Sequence, residues 1–305
     1  MADYSAFDNG IVPWLQKVWT KRRTIEQGVR TTGRDEGAWL VYDCYNDPAA
    51  DPGETDAWTL FREDVRRLTG EYGIGCGPQR GGKWLPDDFY HFGDNPRQGK
   101  GLWRVYAHVK EPRTYNWTPA AVYCLHVMKS LKLEVIEKFK VAGPGMSKDR
   151  GDQIVIWVNS EDAKNSTLES LKQTCAGNFD GSVPPGVKQV VPGLGWSKEP
   201  TAADHGSPAV DEVYGTSRHS FGSFLAGVIY MALEQSWSKT EDDYVKELKA
   251  FFLNVGIDPA NPHVLRSISW EELKHLAGVG NGNIVRTDGA KPTTVFKDQT
   301  NVFPL

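Results

Sequence analysis

Lys138-Phe139-Lys140-Val141-Ala142, with Arg104-Val105-Tyr106 before it and Arg150-Gly151-Asp152 after it, decides how this chain reads. Side chains of an extended chain alternate between two faces. Lys138 and Lys140 therefore share one face, and Phe139 takes the other. Arg104, Tyr106 and His108 alternate in the same way with Val105 and Ala107. Segments 101–109 and 133–142 read as strands with one basic and one apolar face, and 153–158 as a third strand. Between the first two lies a helix over 118–131, with Thr118 as N-cap and Pro119 at its first position. Arg150 and Asp152 open the third strand, after a loop that contains Gly143-Pro144-Gly145.

Outward from this centre the signals turn helical. A first helix spans 10–30, with Ile11, Leu15, Val18 and Trp19 on one side. An apolar run follows at 38–44, then a Pro/Asp/Gly loop at 47–55. Trp58, Phe61, Val65 and Leu68 recur at helical spacing. Residues 70–82 are glycine-rich and lack a period. Downstream, Ser160 caps a helix that runs to 175, and 221–236 is an apolar helix suited to burial. Thr240 with Asp243, and Ser269 with Glu272, resemble capping boxes, and Gly256 is a stop for a helix over 244–253. The pattern predicts an α+β fold: a mixed or antiparallel sheet flanked by helices, with a helical N-terminal part. It divides into a helical region over 1–75 and an α+β domain over 76–305, and a single domain fits almost as well.

The bulk numbers exclude several classes. A formal net charge of −4 argues against general nucleic-acid or anionic-membrane binding. No apolar run is long enough to span a bilayer. Residues 1–8 carry neither a basic nor an apolar signal region, so a cytoplasmic location is expected. Cys44, Cys76, Cys124 and Cys175 are scattered, without the paired spacing of a zinc site. The histidines show no H-E-x-x-H spacing, so no metal is expected. His126, beside Val122 and Leu125, reads as a core or boundary residue. No G-x-S-x-G elbow supports a serine hydrolase. Gly77-Pro78-Gln79-Arg80-Gly81-Gly82-Lys83 has the spacing of a phosphate loop, but Trp84 stands where Ser or Thr would hold magnesium. A flexible or phosphate-touching loop is the better reading there.

The basic strands carry the chemistry. A solvated sheet face is the plain alternative, but Arg104, Lys138, Lys140 and Arg150 together suit a phosphate dianion, which needs several donors in one place. A lysine crowded by other cations is pushed toward the neutral amine, the form that acts as a base.

Further segments extend the pattern: Phe139-Lys140-Val141-Ala142, Arg150-Gly151-Asp152-Gln153-Ile154-Val155, Pro192-Gly193-Leu194-Gly195 with Glu199-Pro200, and Ser220-Phe221-Gly222. In this order, and over about 100–260, the chain resembles the HopA-type effector family of plant-pathogen type III secretion. Relatives of that family serve as lyases in thioamitide and class V lanthipeptide pathways, and the phosphothreonine lyases are more distantly similar. The resemblance implies a phosphothreonine-lyase-like fold. It implies β-elimination of phosphate from phosphoserine or phosphothreonine in a precursor peptide, without a cofactor. A separate kinase would supply the phosphate, and neither nucleic acid nor membrane would be a partner. By the same resemblance Lys140 is the base, and Arg104 and Arg150 hold the phosphate; Lys138, on the same strand face as Lys140, is a further phosphate-binding candidate. The lyases' acidic histidine is replaced by Tyr106, so Tyr106 or His108 protonates the leaving group. The family's arginine three residues after Ser-Phe-Gly is Leu225 here, and Arg218 and His219 are the candidates to replace it. The alternative is a non-catalytic phosphopeptide-binding or effector protein of the same family.

Overall fold

The computed structural model describes residues 2–33, 36–45, 55–78, 84–93, 103–110, 121, 123–124, 126, 136–146, 150–199, 221–264, 284–285 and 295–296. The chain forms two compact units: Met1–Tyr45 with Lys198–Leu305 is unit 1, and Asn46–Ser197 is unit 2.

Unit 1 is helical: α1 (Val12–Thr20), α2 (Arg22–Thr32), α3 (Gly37–Tyr45) and two helices from the C-terminal part described below. The single helix expected over 10–30 is two, broken at Lys21. The sequence reason is local: Lys21-Arg22-Arg23 interrupts the apolar stripe between Trp19 and Ile25. The Trp14 indole N–H donates to the Val41 carbonyl at 3.0 Å, tying α1 to α3.

Unit 2 holds α4 (Thr55–Tyr72), then strands β1 (Cys76–Pro78), β2 (Phe89–Phe92), β3 (Trp103–Ala107), β4 (Ile136–Ala142) and β5 (Ile154–Val158). Helix α5 (Glu161–Cys175) follows, then β6 (Lys188–Val191) and β7 (Leu194–Lys198), whose last residue re-enters unit 1. In unit 1 the chain continues with α6 (Phe221–Glu234), α7 (Glu241–Asn254) and a short pair, β8 (Ile284–Val285) and β9 (Val295–Phe296). The Ser160 hydroxyl accepts from the Ala163 N–H at the start of α5, and Thr240 with Asp243 forms a complete capping box on α7. Ser269, Glu272 and most of the 118–131 segment lie outside the described residues; 121, 123, 124 and 126 within it are helical.

The fold is α+β with an antiparallel seven-stranded sheet, order β1-β2-β4-β5-β3-β7-β6. Four strands of this sheet, β1, β2, β6 and β7, escape the sequence reading. β1 is cut from the glycine-rich stretch; Gly77 and Pro78 belong to it rather than to a flexible loop. It pairs as an outer strand, and three residues are too few to show a period. β2 pairs with β4 through Tyr90↔Val141, His91↔Lys140 and Phe92↔Phe139.

Register fixes the two faces of this sheet. One carries Tyr90, Phe92, Phe139, Val141, Ile154, Ile156, Val158 and Val105, all buried. α4 packs on this side: the Phe61 and Tyr90 ring centroids lie 5.1 Å apart. α5 does too, with Lys164 Nζ 4.4 Å from the Trp103 ring. The opposite face carries His91, Lys138, Lys140, Val155, Trp157, Arg104 and Tyr106. β5 is buried along its whole length, as expected for a central strand of branched residues.

Phe139 is fully buried and stacks on Phe92 with ring centroids 4.6 Å apart. Phe139→Ala should lower stability by about 3–5 kcal/mol. A denaturant titration followed by tryptophan fluorescence checks this; a loss below about 1 kcal/mol would mean that the apolar face does not hold the sheet.

Candidate functional site

The basic face of unit 2 is assembled from four strands. His91 on β2 faces Lys140 on β4, and Lys140 faces Val155 on β5, which faces Tyr106 on β3. In the neighbouring row Lys138 and Arg104 both register with Trp157. Directly opposed residues on an antiparallel pair hold their Cβ atoms about 4.5–5.5 Å apart. The alternation read from the sequence therefore puts Arg104, Lys138 and Lys140 on one face.

Trp157 is the platform between them. Its ring lies 4.8 Å from the Arg104 guanidinium carbon and 4.7 Å from Lys138 Nζ, and 6.1 Å from the His91 ring. Cations held against an indole keep much of their attraction when desolvated. Phe89 is the second platform: Lys140 Nζ sits 3.5 Å from its centroid and the Arg150 guanidinium carbon 5.1 Å. Arg150 makes a bidentate pair with Asp152, at 2.9 Å for both Nε–Oδ1 and NH2–Oδ2. Asp152 is buried. Arg150 and Asp152 lie just ahead of β5, not inside it.

The loop that brings Arg150 here is held by close backbone contacts. The Gly143 N–H donates to the Asp88 carbonyl and the Gly145 N–H to the Pro86 carbonyl, both at 2.8 Å. A Cβ at Gly143 would lie 2.4 Å from the Pro86 oxygen, so Gly143-Pro144-Gly145 is a requirement of packing.

These positions shift the ionisation of the groups. Burial lowers the Lys140 pKa to about 7; Asp152 opposes the shift, and Arg150, Arg104 and Lys138 reinforce it. Burial, then Lys140, Lys138 and Arg104, holds the His91 pKa down at about 3. Burial pushes the Asp152 carboxyl up, but Arg150 and Lys140 outweigh it and keep the group below its ordinary value. The site thus offers arginine donors, one lysine near the neutral form, and aromatic walls.

Other expected site residues lie elsewhere. Tyr106 shares the basic face, but it is buried, and the Ser197 hydroxyl donates to its oxygen at 3.3 Å. It leans toward β7, while Lys140 leans toward β2. His108 lies beyond the end of β3, its Nδ1 2.9 Å from the Ser182 carbonyl oxygen. Leu225 is fully buried in α6 within the core of unit 1. Arg218 and His219 lie outside the described residues. His126 is exposed, contrary to the core or boundary place expected for it; its two apolar sequence neighbours said nothing of its own side of the helix. Among the described residues, no group of three or more His, Cys, Asp or Glu is placed to hold a metal ion. Phe89, His91 and Trp157 were not singled out from the sequence. The alternation of Phe89-Tyr90-His91-Phe92 was the available signal for the first two.

Residues 86–264, more than half of the chain, match the HopA1 effector protein family. The chain belongs to that family. Among solved structures, the effector protein from Pseudomonas syringae pv. tomato strain DC3000 is similar with a TM-score of 0.55. It is 19% identical, over 84% of this chain and 100% of that one. The effector protein from Pseudomonas syringae pv. syringae strain 61 has a TM-score of 0.54 and is 18% identical, over 83% of this chain and 98% of that one. At such identities the likeness speaks for the fold alone. No curated protein matches in sequence.

The lowered Lys140 pKa ties the site to stability. Between about 7 and 10.5 the folded state holds fewer protons than the unfolded state, so this residue's contribution rises with pH. Lys140→Met should therefore be more stable than the parent at pH 7, with the difference shrinking toward pH 10. His91 acts the same way between about 3 and 6.5: stability falls as acid takes the pH below 6.5. Denaturant midpoints across pH for the parent, Lys140→Met and His91→Phe check both; parallel curves would remove the crowded cations as the cause.

Proposed function

We propose that this member of the HopA1 effector protein family recognises a phosphorylated serine or threonine of a peptide on the basic face of unit 2. Arg104, Lys138 and Arg150 receive the phosphate as charge-assisted donors. The observation that carries the reading is the gathering of Arg104, Lys138, Lys140 and Arg150 on one face over the Trp157 and Phe89 rings. Burial, then these like charges, lowers the Lys140 amine to about 7, and a dianion is the ligand that relieves such crowding.

The finer reading is β-elimination. Lys140 Nζ takes the Cα proton, the C–H electrons become the Cα=Cβ bond, and the Cβ–O bond breaks. Phosphate leaves into the cation cluster, and a dehydroalanine or dehydrobutyrine remains. Lys140 supports this step because a half-neutral amine near pH 7 suits general-base work. By resemblance, Tyr106 or His108 supplies the leaving-group proton. In this reading the protein works in the cytoplasm beside a separate kinase, on a precursor peptide of the lanthipeptide or thioamitide kind.

The non-catalytic reading shares the binding step and omits the proton transfer. One observation favours it: the similar solved structures are effector proteins; the resemblance adds that Leu225 stands where the family carries an arginine.

One experiment separates them. Incubation with a phosphoserine peptide, followed by mass spectrometry, should show loss of phosphoric acid with the parent protein. Lys140→Ala should lose about 10²–10⁴-fold in rate while still binding the peptide. Arg150→Ala should instead weaken binding, by about 1.5–3 kcal/mol. Binding without elimination by the parent would select the non-catalytic reading. Elimination should also persist in chelator, since the arginines neutralise the leaving group; loss in chelator with recovery on magnesium would contradict that.

A further inference from the structure

A second concave surface in unit 2 is built from a different helix and strand. It is a groove of about 540 Å³, and α4 lines one side with Arg62, Val65 and Arg66. Ile74 and Cys76 line it from β1 and the turn before it, and Trp84 adds a wall. The lining positions on α4 run from Arg62 to Gly70 along one face. At helical rise that is about 12 Å, the length of about three to four extended residues.

The floor is apolar. Val65 and Ile74 are buried, and burial pushes the Cys76 thiol up to about 12, so it adds no negative charge. Trp84 is 37% exposed, yet its ring is fixed by stacking on Tyr90 with centroids 4.7 Å apart. The rim is cationic. Arg62 and Arg66 are exposed and one helical turn apart. Among the described residues neither has a carboxylate at salt-bridge distance, whereas the adjacent Arg67 pairs with Asp64 and Glu71. Among the described residues, no acidic one lines the groove. Among the described residues, β1 is the first strand in the sheet order and none pairs on its outer side.

We propose that this groove docks a short, extended, acidic peptide segment. Two carboxylates pair with Arg62 and Arg66, and an apolar side chain between them rests on Val65 and Ile74 beside Trp84. An unpaired carboxylate rim would suit a cation; this rim selects an anion by charge complementarity. The neighbouring outer strand favours an extended ligand over a helical one, because a strand laid beside an open edge continues its hydrogen bonding. The docking is independent of phosphate recognition and needs none of the residues on the basic face.

The test uses the full-length protein and a fluorescein-labelled, unphosphorylated peptide with a Glu-Leu-Glu centre, read by anisotropy. The parent should bind, and the same peptide with lysines in place of the glutamates should not. The exposed Arg62→Glu/Arg66→Glu double variant should bind at least about tenfold more weakly. Lys140→Ala and the charge control Lys188→Glu on β6 should bind as the parent does. No binding by the parent, or equal weakening by Lys188→Glu, would overturn the proposal. Loss in Lys140→Ala would also overturn it, by moving the acidic peptide to the basic face; a failure of phosphopeptide binding alone would leave this docking intact.

Discussion

Burial of Phe139 is the constraint on which the rest of the site depends. Its ring packs on Phe92 inside the apolar face, so the period of the strand sends Lys138 and Lys140 together to the other face. A slip of one residue would put two ammonium groups into the apolar face and take the phenylalanine out of it, which burial energetics disfavour. The register that satisfies Phe139 also sets His91 against Lys140 and Trp157 against Lys138 and Arg104. Core packing and the electrostatics of the basic face are one consequence of one alternation.

The cations are tolerated because each has local company. Arg104 and Lys138 rest on the Trp157 ring. Arg150 is held by a buried carboxylate, Asp152, through two parallel hydrogen bonds. Lys140 has the ring of Phe89 and shares Asp152 with Arg150, against three like charges. It is the member of the cluster whose charge is least well supported, and so the one that an incoming anion affects most.

β3 and β4 were legible in the sequence because they are long enough to show alternation, and β5 because it is a short unbroken apolar run; all three fall inside the segments read for them. The α5 N-cap at Ser160 and the α7 capping box were legible through a side chain with a fixed local partner. β2 was not, although Phe89-Tyr90-His91-Phe92 supplies both a ring and an imidazole to the basic face; four residues beside a Pro/Asp turn give a weak signal. Trp157 hid inside a continuous apolar run, where period two cannot be seen. Its orientation comes only from its pairing with Lys138 and Arg104. The lean of Tyr106 toward Ser197 depends on β7, which is distant in sequence. Family membership was readable from motif order, and the match over 86–264 agrees with it.

The most direct measurement is the titration of the Lys140 amine itself, by carbon-detected NMR of the protein labelled at lysine Cε and assigned with Lys140→Met. The account predicts a midpoint near 7 in the free protein, moving upward when inorganic phosphate is added. A Lys140 midpoint near the ordinary value of about 10.4, unmoved by phosphate, would contradict the idea that the basic face is a cluster of crowded cations built for an anion.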